Sequence, residues 1–287
     1  MRKKQDGLML NIDENRLRVF REKTFRTRVG TQLRSIEEAL SFVEERGFIF
    51  FWPVKGVDLP SLWTAVAGDR PVPNNHDDPA HITWRWKDSM LDQKCWYYGK
   101  LLRRKATLVS LEMIPYFYAL SDRVGDLDDY MLLYEEGRLT FEEKSIADAL
   151  LHHGALHTIE LRQKSHLSST SAKSRFERAL AALQRGLYIL PIGVAEAGSW
   201  RYAFIYELFD RWLPEVLSHA QEISRKDANK KLTATYLDSV GVATPKTIGQ
   251  LFHWKKDVVL NVLEGLASDG LVHALKKDRW ATNKLSK

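Results

Sequence analysis

Apolar positions recur at helical spacing over several separate stretches of the chain. Leu40, Phe42 and Val43 follow a Ser35/Glu38 pair that has the form of a capping box, and Gly47 closes that stretch. Phe48–Trp52 is a short continuous apolar run, the mark of a buried strand, and Pro53 ends it. Pro60 stands where the first turn of a helix tolerates it, and the pattern runs on through Trp63 to Val66. Gly68–Pro79 is polar and reads as loop. Trp84–Arg103 reads as one helix with Leu91, Trp96, Leu101 and Leu102 inward, and Thr107–Leu120 as a long strand broken at Pro115.

The second half is more regular. It predicts a helix over 142–153 stopped by Gly154, a short helix over 158–166 and a third helix over 171–185 stopped by Gly186. A strand over 187–194, a turn at Gly198 and a returning segment from Trp200 follow. The same order recurs as a helix over 227–240, Gly241, a short helix over 246–252, a helix over 256–268, Gly270 and a terminal hairpin. Gly154 pairs with Gly241 and Gly186 with Gly270, so one supersecondary unit is repeated. Helix, short helix, longer helix and hairpin is the order of a winged helix, whose third helix commonly reads the DNA major groove. The expected fold class is mainly α with small β-hairpins, as tandem winged-helix (helix-turn-helix) repeats. The expected divisions are a basic extension over 1–34, a winged-helix-like unit over 35–125, a central winged helix over 126–220 and a C-terminal one over 221–287.

Charge sharpens this picture only when taken by segment. The chain of 287 residues has 43 Lys and Arg against 37 Asp and Glu, and residues 1–34 alone carry the whole excess of six. The body alternates. Residues 85–105 are basic by five, residues 112–150 acidic by seven, and residues 151–194 and 221–287 basic by four and five. Basic blocks fall on both third helices, where counterion release draws phosphate backbones whatever the total charge. Double-stranded DNA is therefore the expected partner. The apolar runs are too short to span a membrane, so no membrane role is expected. The single cysteine, Cys95, excludes an internal disulfide, suits a reducing cytoplasmic setting and is expected to be a small buried hydrophobe.

The tract 149–208 and the tract "SVGVATPKTIGQLFHWKKDVVLNVLEGLASDGLVHAL" resemble the two successive winged helices of the YcaQ/AlkZ family of bacterial DNA glycosylases. "VKGVDLPSLW", "NNHDDP", "TWRWKD" and "WYYGKLLRRKATLVSLEMIPYFYAL" look like an AlkZ-related branch of it. The resemblance implies winged helices around a DNA-sized channel, and relatives that excise alkylated bases and unhook interstrand crosslinks. The family signature is Gln-x-Gln or Gln-x-Asp just after the first strand. The matching stretch here is Lys55-Gly56-Val57-Asp58, with no Gln. The departure falls on the residues that would orient the hydrolytic water.

Base excision needs a group that positions water and one that stabilises an oxocarbenium-like sugar. Asp58 suits either task, and Lys55 suits a phosphate contact or attack as a desolvated amine. The structural alternative is a turn at Lys55–Gly56 with Asp58 as helix cap. His76, Asp77 and Asp78 form a second constellation, with Asx-turn chemistry before Pro79 as its structural alternative. Trp84, Trp86 and Lys87 beside it suit base stacking and phosphate binding. No fixed metal-ligand spacing is present, and no metal or cofactor is expected. Lys100, Arg103 and Arg104 are expected to reach outward. Ser171, Lys173, Ser174, Arg175 and Arg178 on one third helix, Arg201 and Tyr202 at its wing, and Lys255 and Lys256 on the other complete the expected DNA face. A solvated polar face is the alternative reading of these residues. The functional expectation is a DNA-binding protein of the winged-helix glycosylase type, with a non-catalytic regulator or damage sensor as its rival.

Overall fold

A computed structural model describes residues 13–74 and 77–286. The architecture is mainly helical, with three small antiparallel sheets. Three units share one element order. The first runs α2 (Ile36–Arg46), β1 (Phe48–Phe50), α3 (Leu62–Ala67), α4 (Ile82–Ser89), β2 (Trp96–Gly99) and β3 (Thr107–Ser110), preceded in the chain by α1 (Glu14–Thr24). Linking helices α5 (Ile114–Tyr118) and α6 (Tyr130–Glu135) lead to the second unit. It comprises α7 (Phe141–His153), β4 (Leu156–His157), α8 (Thr158–Lys164), α9 (Lys173–Arg185), β5 (Ile189–Ala195) and β6 (Ala203–Leu208). After α10 (Phe209–Trp212) and α11 (Pro214–Gln221) comes the third. It comprises α12 (Arg225–Val240), β7 (Val242–Ala243), α13 (Pro245–Phe252), α14 (Lys256–Ser268), β8 (Val272–Leu275) and β9 (Arg279–Thr282).

The strand orders are β1-β3-β2, β4-β6-β5 and β7-β9-β8, so in each sheet the last strand is central. Each first strand leaves its helix at a glycine of positive φ: Gly47 at 74°, Gly154 at 75° and Gly241 at 78°. At two of them crowding adds to the backbone demand. A Cβ on Gly47 would come 2.8 Å from Thr235, and one on Gly241 2.8 Å from Leu17. The helix starts follow capping chemistry. Ser35, Thr140 and Ser224 accept N–H bonds from Glu38, Glu143 and Asp227, and Glu143 returns the bond to Thr140.

Several sequence expectations change. The stretch expected as one helix over 84–103 is α4 followed by a turn and β2. Lys94 takes φ 51°, and the aromatic run Trp96-Tyr97-Tyr98 pairs with β3. Thr107–Leu120 is β3 and then α5, with Pro115 in the first turn of the helix rather than a break in a strand. Cys95 is exposed. Part of the expected N-terminal extension is α1, which packs on the third unit. Leu17 is buried, Thr24 donates to the Ser239 carbonyl, and Arg21 donates to the Val240 carbonyl at 2.9 Å.

The core is shared as well as local. The first and second units each enclose an apolar cluster. A larger cluster joins the other face of the first sheet (Phe48, Tyr97, Val109) to α5 and the third-unit helices (Tyr236, Leu251, Leu263). Gln184, buried at the end of α9, accepts the Tyr97 hydroxyl on its carbonyl and the Lys100 N–H on its side chain. The three units are thus held against one another by packing and by polar ties.

Candidate nucleic-acid interface

β1 delivers the chain to a turn in which Val57 N–H bonds the Val54 carbonyl at 3.1 Å and Gly56 takes φ 75°. Lys55 is exposed at its apex. Asp58 does not cap α3; Ser61 does. Asp58 accepts from Arg21 at 2.9 Å instead, and Arg21 is itself fixed by third-unit carbonyls. The turn therefore docks α1 between the first and third units.

The acidic loop is organised by arginine. Asn75 and His76 lie outside the described residues, and Asp77 is exposed. Asp78 accepts two bonds from Arg70, at 2.6 and 2.7 Å, and caps the turn at Pro79 through Ala80 N–H. Arg70 also lies 5.2 Å over the buried Trp63 ring. The Arg70 hydrogen bonds pull the Asp78 carboxyl down to about 2. A depressed carboxyl adds order to the loop above the ordinary carboxylate range and loses it as pH falls through about 2. NMR titration should show Asp78 ionised at pH 3 and Arg70→Ala returning it to the ordinary range. An ordinary Asp78 in the parent protein would exclude this pairing.

Next to the loop stands an aromatic wall. Trp52 lies 5.0 Å from Trp63, 6.0 Å from His81 and 6.2 Å from Trp84, and Trp84 is 41% exposed. The other expected members of this group point inward. Trp86 is buried, and Lys87 is 2% exposed. Its ammonium lies 2.6 Å from Asp88 and 2.9 Å from the Tyr202 hydroxyl, and 4.5–5.8 Å from five aromatic ring centroids. Burial pulls its pKa down against the pull of Asp88. Lys87 and Tyr202 are thus a tie between α4 and the β5–β6 hairpin, not a surface offered to phosphate.

The remaining cations are distributed over three elements. On α9, Lys173, Ser174, Arg175 and Arg178 are exposed while Phe176, Ala179, Leu180 and Leu183 are buried. Arg175 pairs with Glu142 at 3.1 Å; Lys173 and Arg178 have no ion pair among the described residues. Ser171 faces Ser169 in the preceding turn. At the tip of the β5–β6 hairpin Arg201 pairs with Glu196, and Trp200 beside it is 90% exposed. Lys255 and Lys256 open α14, both exposed.

Where the three units meet, a cleft of about 850 Å³ brings together residues far apart in sequence. Arg103 and Arg104 come from the β2–β3 connection, Arg185 from the end of α9, Arg225 from the start of α12, and Phe252, His253 and Trp254 from the α13–α14 turn. None of the four arginines is paired with a carboxylate among the described residues. Asp122, which also lines the cleft, is engaged by Arg138 at 2.6 Å. Phe252 and Trp254 stack at 4.5 Å with a 17° tilt. A second cavity, about 700 Å³ under α1, interleaves six cations with five carboxylates and has no such polarity. Among the described residues no cluster of His, Cys, Asp or Glu is placed to hold a metal ion, and no helix is long and apolar enough to cross a membrane. Arg185, Arg225, Trp254 and Trp200 escape sequence reasoning. Only the hydrophobic character of Trp200 at a turn was a local signal.

These features define a helical protein of three like units, with free cations gathered on two third helices and at the junction. Residues 33–253 match the family described as AlkZ related, and the chain belongs to that family. The structure is similar to Streptomyces sahachiroi DNA glycosylase AlkZ, with a TM-score of 0.58 and 11% identity, over 96% of this chain and 71% of that one. At that identity the likeness is one of fold. No curated protein sequence matches the chain.

Proposed function

We propose that the three units are tandem winged helices, that the protein binds duplex DNA, and that it acts on alkylated or crosslinked bases as a glycosylase-type repair protein. One observation carries the reading. The third helices of the second and third units present unpaired cations, Lys173 and Arg178 on α9 and Lys255 and Lys256 on α14, at equivalent places in the repeated order. Family membership and the fold shared with a DNA glycosylase support it. The boundaries 35–125, 126–220 and 221–287 are those of the three binding units in this reading, and no cofactor or metal enters it. Arg103, Arg104 and Lys100 extend the face toward the junction. Lys55 is the free group at the family's motif position and is assigned the contact with the damaged nucleotide. A second reading, a damage sensor without excision, draws on the engagement of Asp58 by Arg21. In that pairing the carboxylate holds α1 and is not free to position water.

Binding and chemistry are tested together. Lys173→Ala with Arg178→Ala should weaken duplex binding and reduce the salt slope by roughly 1.8, at ~0.9 per phosphate contact. An unchanged slope removes α9 from the interface. On duplexes bearing N7-alkylguanine or a crosslink, excision that falls by about 10²-fold in Lys55→Ala supports the glycosylase. Tight binding with no abasic product supports the sensor.

A further inference from the structure

We propose that the junction cleft is a binding site for an unpaired stretch of DNA, with phosphates held by its arginines and a base stacked on Trp254. The inference rests on the DNA-binding reading and specifies what this part of the surface takes. The chemistry of the lining decides the ligand class. The side chains of Arg104 and Arg185 make no hydrogen bond or ion pair among the described residues, and those of Arg103 and Arg225 reach only backbone carbonyls, of Gln250 and Leu120. Four exposed guanidiniums around one cleft, none paired with a carboxylate among the described residues, favour an anion of several charges. The stacked Phe252–Trp254 pair supplies a flat, partly exposed aromatic plane in the same lining. Phosphate-binding cations beside an aromatic platform are the elements by which proteins hold single strands without reading sequence. A paired base keeps its faces inside the helical stack and cannot use the plane, so the site selects unpaired nucleotides.

Tight turns bring these side chains to one cleft. Arg103, Arg104, Leu187 and His253 all take positive φ, between 54° and 63°, and all four line the cleft. Non-glycine residues adopt that conformation uncommonly, chiefly where a helix ends or the chain turns sharply. At His253 it turns the chain back sharply, so that Trp254 N–H bonds the Gly249 carbonyl at 3.0 Å. Neither Lys55 nor Asp58 lines the cleft, so it is a separate site from the family motif.

The test uses the full chain and three labelled probes: an intact duplex, the same duplex with a three-nucleotide gap, and the single strand. The wild type should prefer the gapped duplex to the intact one by about ten-fold or more. Arg185→Gln with Arg225→Gln should lose that preference and lower the salt slope on the gapped probe by roughly 1.4, at ~0.7 per single-strand phosphate. Trp254→Ala should cost the gapped probe about ten-fold, and Trp254→Phe, which keeps a ring on Phe252, should keep the affinity. If Trp254→Ala melts early, the arginine pair and Trp254→Phe decide the matter. A wild type that binds none of the probes overturns the DNA-binding reading and this proposal together. A wild type that binds intact duplex but shows no gap preference, or variants that keep the preference, overturns the cleft assignment alone.

Discussion

Arg123→Ala should destabilise the protein by about 3–5 kcal/mol, the usual consequence of stripping one partner from a buried ionic cluster. The Arg123 side chain is 3% exposed and those of Asp129 and Asp210 are 3% and 5% exposed. The guanidinium bonds Asp129 at 2.8 Å, Asp210, and the Leu187 carbonyl at 2.7 Å, and lies 4.5 Å from the Tyr188 ring centroid. It therefore joins the α5–α6 connection to the end of α9 and to α10. Burial pushes the Asp210 carboxyl up, against the pull of Arg123. Without that pull one carboxyl must take a proton. A carboxyl whose folded pKa is raised binds its proton in the folded state first, so the variant should recover stability as pH falls from 7 toward the ordinary carboxylate range. At neutral pH the melting temperature should drop by roughly 5–8 °C. Arg123→Met with Asp129→Asn and Asp210→Asn should regain most of the loss, because no charge is then left buried. An Arg123→Ala protein that melts with the parent at pH 7 would refute the account. Leu187 and Tyr188 also line the junction cleft, so the same variant should loosen the walls of that cleft.

Local chemistry was legible in the sequence and distant chemistry was not. The glycine stops, the Ser35 cap and the amphipathic α9 and α14 follow from rules that act within a few residues and were legible; the cap of α3 was not, since Ser61 takes the place expected of Asp58. The repeat of the second unit in the third was visible for the same reason, since the spacing of Gly154 and Gly241 survives in both. The first unit was harder. Its α3–α4 connection is long, and its β2 is an aromatic run that also satisfies a helical period. Local pattern cannot choose between the two; pairing of Trp96–Gly99 with β3 does. Leu17 and Phe20 fell within the expected basic extension because their partners, Gly241 and Val242, lie more than two hundred residues away. Lys87 was expected to hold a phosphate beside the acidic loop. The rings that bury it come from the residue after β1, from α4, from β2 and from the β5–β6 hairpin, and no window around position 87 contains them all. The cleft has the same origin. Arg103, Arg185, Arg225 and Trp254 carry no common local signal and meet only through tertiary packing.

Lys87 is where this misreading has the largest consequence. Replacing it with Met keeps the length and apolar stem of the side chain, so packing against Phe51, Tyr98 and Phe204 is retained. The ammonium is lost. Half-buried Asp88 then keeps the Tyr202 hydroxyl, at 2.9 Å, as its side-chain partner among the described residues. A desolvated cation over aromatic faces is worth ~2 kcal/mol or more, and a one-sided loss of the ion pair adds to it. Lys87→Met should therefore cost about 3 kcal/mol, and Lys87→Met with Asp88→Asn distinctly less, since the stranded carboxylate is gone. The effect should be local as well as global. Lys87 and Asp88 on α4 hold Tyr202, next to the exposed Arg201 at the tip of the β5–β6 hairpin. With the tie cut, the hairpin opens below the threshold of global unfolding. Limited trypsin digestion should cleave after Arg201 several times faster in Lys87→Met than in the parent, while cleavage at Lys173 stays unchanged. Equal rates at Arg201 would mean that the hairpin is fixed by its own strand pairing, and that the buried lysine serves the first unit alone.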